Sequence, residues 1–533
     1  MNTQNEHRLA EIFQSGMLFQ RDKRIVLWGN AAPDTEVTAA LYKDGKTDGA
    51  LPVLCGSTKA DSGGSFFLAL ASRPAGKGYL LCVTFQDVPE NSLYLKDISF
   101  GDLWLAGGQS NMEFFLKYER DWENTRKLPR NPDIHMYNVP QRAFEGHTSH
   151  NKAGYGYWFD DSDPGLEYFS APAYSFARNV QAAAGVPIGI IGCNWGGSTA
   201  SAWVPEEALA EAPLDTYLNE YASAVRGIDH DKLVSDSLRA WAFEDSDRHI
   251  RDFEPLLYGQ SRSWQLAYME RHKEDPAVPM GPCSMNRPCG LYHTMLLGLI
   301  PLSLKGVLWY QGESDAGGHA FLYDRLLTAL IESWRAKWND GLPFLIVQLA
   351  PFGVWLDCDN KGYALVRQKQ AFVAKNVPDV YMAGIMDLGS YYDIHPKEKM
   401  EVGRRLALLA RGHIYGEKDL LCDAPEAASA FLLNERQIGI VFAHGSGLTV
   451  GSIESDWNIR IGQQDFLPDK VFVKEDYLVL TLPCSVSDDS FPVYVSLGWK
   501  DYARIYIYNA AGLSALPFQL KVEKGDYCEK TSF

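Results

Sequence analysis

Short apolar runs broken by turn residues fill the first hundred positions of the chain. Three runs rich in β-branched, aromatic and other apolar residues are Arg24–Gly29, Glu36–Tyr42 and Phe66–Leu70. Turn-forming sequence such as Lys43–Gly45 separates them, and no helical period of useful length occurs after Met17. This pattern predicts a small all-β, sandwich-like domain over residues 1–97.

From Asp97 onward, fully apolar runs are separated by segments with helical spacing. Apolar residues recur at every fourth position from Leu322 to Trp334, which places them on one face of a helix. Runs that are apolar on both faces are typical of parallel strands covered by helices on both sides. Five of them predict an α/β fold with a parallel, three-layer sheet: Asp102–Ala106, Ile188–Gly192, Gly306–Tyr310, Phe344–Leu349 and Val380–Met386.

Two further regions flank or interrupt this series. A polar, helix-leaning segment at about 205–290 contains no strand period, so we expect a helical insertion within a catalytic domain of residues 98–415. Strand-type runs return after about Leu420 and predict a β domain over residues 416–533. The sequence leaves open whether this second β region is separate or pairs with the first.

The composition excludes several classes of partner. The chain has 533 residues, of which 50 are basic and 67 acidic, giving a net charge of −17. Nucleic acid and anionic membrane surfaces repel such a protein, so neither is an expected partner. The longest apolar runs, such as Met295–Pro301, fall well short of the roughly 20 residues that a membrane-spanning helix needs. The sequence does not specify an oligomeric state.

Cysteine usage and the N-terminus predict the compartment. The nine cysteines are scattered, and none forms a Cys-x-x-Cys pair, which favours reduced thiols over disulfides or a zinc site. Met1 to Arg8 lack the basic segment and apolar stretch of a secretory signal. We therefore expect a cytoplasmic protein, unless a leader has been removed.

Glycines and polar residues follow four of the predicted strands. Ligands bind at the carboxyl ends of the strands in an open α/β sheet, so these segments are expected to share one edge. A site built there combines four segments: Gly107–Glu113, Cys193–Thr199, Gln311–Asp315 and Asp393–Pro396.

Ser110 is the candidate nucleophile of this edge. A serine needs a base to take its proton, and the base needs a partner that fixes its tautomer. His395 is the candidate base, at the entrance of a helix predicted to begin with Pro396. Asp393 lies two residues earlier, and the order Ser…Asp…His occurs in known triads. The alternatives are that Ser110 and Asp393 only cap helices.

A hydrolase of this kind also needs hydrogen-bond donors for the developing oxyanion. The candidates are the backbone N–H groups of Ser110 and of Gly196 or Gly197, and the side-chain amides of Asn194 and Gln311. The alternative for the two glycines is that they serve only the packing of helix on sheet.

Other active-site motifs are absent. Met112 stands where the Gly-x-Ser-x-Gly elbow of the α/β-hydrolases has its second glycine. The sequence contains no phosphate-binding Gly-x-x-x-x-Gly-Lys-Ser/Thr and no His-Glu-x-x-His. No Gly-x-Gly-x-x-Gly follows the first predicted strand of the parallel sheet. These absences argue against a nucleotide-binding fold and a zinc peptidase.

The four segments together resemble the motif blocks of the SGNH (GDSL-like) hydrolases, most closely the sialate O-acetylesterases and next the acetylxylan esterases. The resemblance lies in Gly108–Glu113, Trp195–Ser198, Trp309–Asp315 and Asp393–Pro396, and it extends to Met17–Lys23, Pro74–Gly78 and Tyr508–Phe518. It covers nearly the whole chain and is weakest at 205–290. It implies a flavodoxin-like α/β sheet, a serine esterase that removes O-acetyl groups from sugars, and no metal or organic cofactor.

Matched by position, the resemblance implies that Ser110 is the nucleophile and His395 the base. It also implies that Gly197 and Gln311 lie near the oxyanion hole. Many members of the family have the aspartate three residues before the histidine, whereas Asp393 is two before. Glu313 is therefore a second candidate for orienting the imidazole, and a Ser–His dyad with backbone support is the third.

The expected substrate is O-acetylated sialic acid. Its carboxylate would need a cationic partner, for which Arg287 is a candidate, although an exposed surface arginine is the simpler interpretation. One alternative is an esterase that deacetylates xylan-type oligosaccharides. The other is a non-catalytic carbohydrate-binding protein, against which the Ser110–His395 pair argues.

Overall fold

The computed structural model describes residues 7–45, 51–147, 154–451, 455–487 and 490–524. Residues 1–6, which bear on the signal-peptide prediction, and Cys528 lie outside these ranges. The ten α-helices of the described residues are α1 Ser110–Glu113, α2 Trp122–Thr125, α3 Ala171–Ala184, α4 Asp215–Val225, α5 His230–Glu244, α6 Asp247–Leu257, α7 Arg262–His272, α8 Tyr323–Trp338, α9 Tyr363–Asn376 and α10 Lys399–Leu409.

The strands fall into an N-terminal, a central and a C-terminal group. The N-terminal group is β1 Arg8–Leu9, β2 Leu18–Gln20, β3 Ile25–Asn30, β4 Glu36–Lys43, β5 Leu54–Lys59, β6 Ser65–Leu70 and β7 Gly76–Phe85. The central group is β8 Leu93–Gly108, β9 Ile134–Asn138, β10 Trp158–Phe159, β11 Ile188–Asn194, β12 Gly306–Tyr310, β13 Phe344–Val347, β14 Val354–Trp355, β15 Cys358–Asp359 and β16 Val380–Ala383. The C-terminal group is β17 Glu426–Asn434, β18 Gln437–Ala443, β19 Thr449–Val450, β20 Trp457–Ile461, β21 Gln464–Phe466, β22 Lys470–Lys474, β23 Tyr477–Thr481, β24 Val493–Leu497, β25 Ile507–Tyr508 and β26 Phe518–Glu523.

An α/β arrangement around a mixed sheet forms the middle of the molecule, as the alternating pattern predicts. Six parallel strands lie in the order β9-β11-β8-β12-β13-β16, and β10 adds an antiparallel edge. All five predicted strands are present. The sixth parallel strand, β9, was missed because its short Ile-His-Met-Tyr-Asn sequence carries polar residues and no strong period.

Helices cover both faces of this sheet, and successive side chains of a strand enter different cores. Trp104 and Leu308 pack with α3 and α10, and the ring of Trp104 meets that of Phe176 edge to face at 4.9 Å. Leu105 and Trp309 pack on the opposite face with α8 and α9. The strands are apolar throughout because both faces are buried.

One long strand joins the N-terminal strands to the α/β sheet. β8 has 16 residues; its first half pairs antiparallel with β7, and its second half pairs parallel with β11 and β12. β8 therefore continues across residue 97, and eleven strands share one sheet. The C-terminal strands form their own eight-stranded sheet, in the order β21-β20-β24-β26-β17-β18-β23-β22.

Some local features differ from the sequence predictions and others agree. The helix after His395 begins at Lys399, not at Pro396, so His395 lies in an irregular turn ahead of the helix. The eight described cysteines are free thiols, as predicted. None of the helices in the described ranges has the length and apolar character that crossing a bilayer requires.

Candidate active site

A sharp turn at the end of β8 presents Ser110. Gly108 has φ +135°, and a Cβ added there would lie 2.1 Å from the carbonyl oxygen of Tyr310 on the neighbouring strand, so only glycine fits. The Oε1 atom of Gln109 accepts the Ser314 N–H at 3.1 Å, which ties this turn to the loop after β12. Ser110 then opens α1 and stays partly exposed. The turn thus places a hydroxyl at the carboxyl edge of the sheet.

The imidazole of His395 lies within hydrogen-bond distance of that hydroxyl. Its Nε2 atom is 3.0 Å from Oγ of Ser110. His395 is buried, and its ring meets the edge of the Trp355 ring at 5.0 Å. Burial lowers the pKa of His395 despite the neighbouring Asp393 carboxylate, because desolvation penalises the imidazolium. The base is therefore held in the neutral form that accepts a proton.

Asp393 lies beside the other ring nitrogen. Its Oδ1 atom accepts the backbone N–H of His395 at 2.9 Å and lies 3.6 Å from Nδ1 of the same residue. Its Oδ2 atom pairs with Nζ of Lys397 at 2.9 Å. Burial alone would raise the pKa of Asp393, but His395 and Lys397 outweigh it and lower that pKa. An ionised carboxylate therefore faces Nδ1 without a short hydrogen bond to it.

Glu313 belongs to a different buried group. Its Oε1 atom accepts from Nδ2 of Asn111 at 2.5 Å, and the same Nδ2 donates to the carbonyl of Ile394 at 3.0 Å. Oδ1 of Asn111 accepts from Nζ of Lys399 at 2.6 Å. Burial raises the pKa of Glu313 and lowers that of Lys399 to about 7. This network joins the residue after Ser110 to the residue before His395.

Two of the five predicted oxyanion donors are side-chain amides that bind groups of the protein itself. Nδ2 of Asn194 donates to the carbonyl of Ala106 at 3.0 Å. Nε2 of Gln311 donates to the carbonyl of Ser198 at 3.2 Å and also to the Asp315 carboxylate. Gln311 therefore uses both of its amide hydrogens within the protein, whereas Asn194 uses one of its two.

The two glycines after β11 differ in whether their backbone N–H already has an acceptor within the protein. The N–H of Gly196 donates to Oε2 of Glu113 at 2.6 Å, and a Cβ added to Gly196 would lie 3.2 Å from Cβ of Ser110. Gly197 has φ +78°, a left-handed conformation that favours glycine. Among the described residues, no acceptor is recorded for the N–H of Gly197 or of Ser110. These two backbone groups remain as donors for an oxyanion.

Arg287 lies in a loop that borders the site. Its neighbour Asn286 accepts the N–H of Thr199 at 3.0 Å through Oδ1. A Cβ added to Gly290 would lie 3.2 Å from Nε of Arg287, so the guanidinium folds over its own loop. It is partly buried, not a freely exposed side chain.

Helices of the insertion at 205–290 hold the loops around His395. Gln265 of α7 is fully buried; its Nε2 donates to the carbonyl of Tyr392 at 2.8 Å, and its Oε1 accepts the N–H of Leu356 at 3.0 Å. Nζ of Lys397 donates to the carbonyl of Leu257, the last residue of α6, at 2.6 Å. The insertion therefore positions both Trp355, whose ring packs against His395, and the Asp393–His395 segment.

One group of potential metal ligands lies in the described ranges, away from this edge. His413, Cys422 and Asp423 place donor atoms within 4.8 Å of one another. Nε2 of His413 is already 2.9 Å from Oδ1 of Asp423, and burial raises the pKa of Cys422 to about 12.

Several residues of this site were not singled out by the sequence. Glu113 and Asn111 lie in the Gly108–Glu113 block, but neither of them was given a role from the sequence. Their position close to Ser110 in the chain was the only sign that they belong to the site. Lys399 and Trp355 carry no sequence signal, because nothing in the local pattern shows that they reach the site.

The chain is similar to known carbohydrate esterases over most of its length. Residues 100–232 and 291–410 match the model of a carbohydrate esterase family described as sialic acid-specific acetylesterase. The chain is 24% identical to the sialate O-acetylesterase of Rattus norvegicus over 81% of this chain and 78% of that protein. It is 26% identical to the enzyme of the same name from Homo sapiens, over 78% and 73% respectively. A carbohydrate acetylesterase from Xanthomonas citri matches in structure with a TM-score of 0.70 and 27% identity, covering 96% of this chain and 99% of that one.

Proposed function

Because the chain belongs to the sialic acid-specific acetylesterase family of carbohydrate esterases, and is therefore a carboxylic ester hydrolase, we propose that it cleaves sugar O-acetyl groups through a serine mechanism. The observation that carries the proposal is the 3.0 Å distance between Nε2 of His395 and Oγ of Ser110. That distance allows the imidazole to take the hydroxyl proton as the serine attacks.

The proposed reaction has two halves. In the first, Oγ of Ser110 bonds to the acetyl carbonyl carbon, its proton passes to His395, and the N–H groups of Ser110 and Gly197 stabilise the oxyanion. The sugar oxygen leaves with the proton that His395 returns. In the second, water gives a proton to His395 and attacks the acetyl-enzyme, which releases acetate and restores Ser110. Asp393 stabilises the imidazolium that forms in each half.

We further propose an SGNH-type three-layer domain over residues 98–415, flanked by β regions at 1–97 and 416–533. The family match supports this division, since its two segments lie within 98–415 and leave out residues 233–290 of the insertion. Numbered in chain order, the six parallel strands lie in the order 2-3-1-4-5-6. Without β9, the other five have the 2-1-3-4-5 order of the flavodoxin-like class, which supports that class.

O-acetylated sialic acid is the proposed substrate, supported by the names of the rat and human relatives. An acetylated neutral oligosaccharide of the xylan type is the second candidate, and one observation favours it. The two lysines nearest the catalytic pair are already engaged, Lys397 with Asp393 and Lys399 with Asn111. Arg287 folds over its own loop. The two lysines therefore offer no free cation to a substrate carboxylate, whereas the buried Nε of Arg287 has no hydrogen-bond partner.

The test compares Ser110→Ala with a matched serine variant. Ser303 is partly exposed and donates to the carbonyl of Arg24, so Ser303→Ala should keep wild-type activity. Ser110→Ala should abolish acetate release from a chromogenic acetyl ester while the protein stays folded, because removing one hydroxyl leaves no core cavity. Residual activity above a few percent would remove Ser110 as the nucleophile.

The same assay separates the two substrates. Acetate release from 9-O-acetylated N-acetylneuraminic acid is measured beside release from acetylated xylooligosaccharides. A higher kcat/KM for the first supports the sialic acid assignment, and the reverse order supports the neutral oligosaccharide.

A further inference from the structure

A cavity lies on the C-terminal sheet, outside the ester site. The strands β20, β24 and β26 are neighbours, and their inward residues, among them Ile459 and Val495, belong to the core of that region. Their outward residues line a cavity of about 570 Å³. Asn458 and Arg460 of β20 stand directly opposite Ser496 and Tyr494 of β24. One face of the sheet therefore packs the core, and the other forms a recess of the size of a small ligand.

Aromatic rings line this recess and remain open to solvent. Tyr494 is 36% exposed and Trp499, directly after β24, is 38% exposed. Large exposed rings that line one recess are characteristic of binding surfaces, because their apolar faces gain from contact with a ligand. The C–H faces of a pyranose ring are flat and apolar and suit such a surface.

The polar side chains of the recess are held in place and balanced in charge. Arg460 makes two hydrogen bonds to Asp465, at 2.8 and 3.0 Å, and Asn458 donates to the same carboxylate at 3.1 Å. Lys500 lies 3.6 Å from Asp456. Each charged side chain faces an opposite charge, so the recess offers hydrogen bonds without a net field for an anion or a cation.

A chain of tyrosines leads from this recess to the ester site. Trp499 and Lys500 are followed by Tyr502, whose ring meets Tyr391 edge to face at 5.0 Å. Tyr391 meets Tyr392 at 4.9 Å, and Asp393 comes next in the sequence. Tyr391 and Tyr392 are about half exposed. Exposed aromatic rings thus connect the recess to the loop that carries His395.

We propose that this recess binds neutral sugar units of a polysaccharide whose acetyl esters are cleaved at Ser110. Flat apolar ring faces and neutral hydroxyl groups are what exposed aromatic rings and charge-balanced polar side chains recognise together. The inference rests on the proposed function with its second candidate substrate, a neutral acetylated polysaccharide, but the binding itself does not require Ser110. The recess holds the polymer while its acetylated units reach the catalytic edge.

Binding is tested on the full chain carrying Ser110→Ala, which excludes turnover. The probes are arabinoxylan, galactomannan and hydroxyethyl cellulose, each cast into a native gel, and the measurement is retardation relative to a gel without polysaccharide. We expect retardation by at least one of them. Trp499→Ala and Tyr494→Ala should each raise the dissociation constant of the protein for that polysaccharide by about tenfold or more, as loss of an aromatic anchor does.

The matched control is Tyr94→Ala, which removes a ring that is 54% exposed on β8, away from the recess. It should leave retardation unchanged. No retardation by any of the three polymers overturns the proposal, as does retardation that survives both recess variants. A gel containing heparin, a polyanion, is run beside them. If heparin alone retards the protein and Trp499→Ala removes that retardation, the recess is an anion site and the proposal is overturned.

Catalysis gives a second readout on the chain with Ser110 intact. The ratio of kcat/KM for acetylated xylan to kcat/KM for a chromogenic acetate should fall severalfold in Trp499→Ala, through KM for the polymer, and stay constant in Tyr94→Ala. An unchanged ratio in Trp499→Ala contradicts the inference. Failure of the proposed function has a different signature, namely esterase activity that persists in Ser110→Ala.

Discussion

His395 and Asp393, the proposed catalytic base and its carboxylate, are separated by a single residue, and this spacing determines how they meet. Asp393 turns back and caps the backbone N–H of His395 at 2.9 Å, which leaves its oxygen 3.6 Å from Nδ1. Glu313 binds Asn111 and reaches the histidine segment only through that residue. Asp393 is therefore the better placed of the two carboxylates to stabilise an imidazolium.

Single substitutions distinguish the two carboxylates. Asp393→Asn should lower kcat by a large factor, on the order of 10⁴ in the best-studied serine triad, because the neutral amide does not stabilise the imidazolium. Glu313→Gln should cost much less, since the amide oxygen still accepts from Asn111. Turnover is measured for both variants beside the wild type, after each is shown to unfold cooperatively. A larger loss at Glu313 contradicts this assignment, and equally small losses at both indicate a Ser–His dyad.

The pKa of His395 sets the acid limit of activity. Only the neutral imidazole accepts the serine proton, and it predominates above the pKa of the group. Burial lowers that pKa from its ordinary 6.5, so activity should persist below pH 6.5 and fall only as pH drops through the lowered value. The measurement is kcat/KM for an uncharged acetyl ester between pH 4 and 8. An acid limb centred above 6.5 would contradict the burial argument.

At the scale of elements, the helical insertion acts as a support for the site. Its helices α6 and α7 contact the loop after β13 and the turn before α10, at Leu356, Tyr392 and Lys397. The first of these loops contains only the short β14–β15 pair, and the second has no helix or strand at Tyr392 or Lys397. The insertion supplies the missing partners, which explains how irregular backbone holds Trp355 and His395 in fixed positions.

Removing one side chain of that support should impair catalysis without touching the reacting atoms. Gln265→Ala removes the partly buried hydrogen bonds to the Tyr392 carbonyl and the Leu356 N–H, at about 0.5–1.5 kcal/mol each. We expect a lower melting temperature and a lower kcat, because Trp355 and His395 lose their anchor.

The exposed Gln86→Ala is the control and should change neither quantity. Thermal unfolding and turnover of the chromogenic ester are the measurements. Wild-type kcat in Gln265→Ala would show that the insertion does not position the base.

At the scale of the whole molecule, a buried arginine connects the catalytic sheet to the C-terminal region. Arg405 of α10 makes two hydrogen bonds to Asp387, both 2.7 Å, and donates to the Gly384 carbonyl at 2.8 Å. The carbonyl of Asp387 accepts from Arg504 of the C-terminal region at 2.9 Å. Arg405 and Asp387 are both buried at the side chain. Arg405 also pairs with Glu401 at 2.7 Å, whereas Asp387 depends on Arg405 for its charge.

Breaking this pair should destabilise the whole protein. Arg405→Met leaves the Asp387 carboxylate buried without its partner, which costs about 3–5 kcal/mol. Arg411→Met removes an arginine of comparable geometry, paired at 2.7 Å with the more exposed Glu417, and should cost at most about 1 kcal/mol. Urea unfolding of both variants is the measurement. Equal losses would mean that burial of the Arg405–Asp387 pair does not matter.

The sequence by itself determined the features that repeat locally. Buried strands give uniform apolar runs, and helices give a four-residue period, so five strands of the central sheet and helix α8 were predictable. The candidate site residues at the strand ends could be predicted for the same reason. Turns that carry Ser110 and Gly197 need particular residues, and those residues stand out in the chain.

Tertiary structure alone decided the features that depend on distant partners. β9 became a strand because β11 offers it an edge, and not because its own sequence demands it. Gln311 was a predicted oxyanion donor, but its amide donates to the Ser198 carbonyl and the Asp315 carboxylate. Lys399 belongs to the site because it donates a hydrogen bond to Asn111, which lies 288 positions earlier in the chain. Local pattern records which residues prefer a strand, a helix or a turn, but only the packed chain determines which polar groups are already satisfied and which remain for substrate.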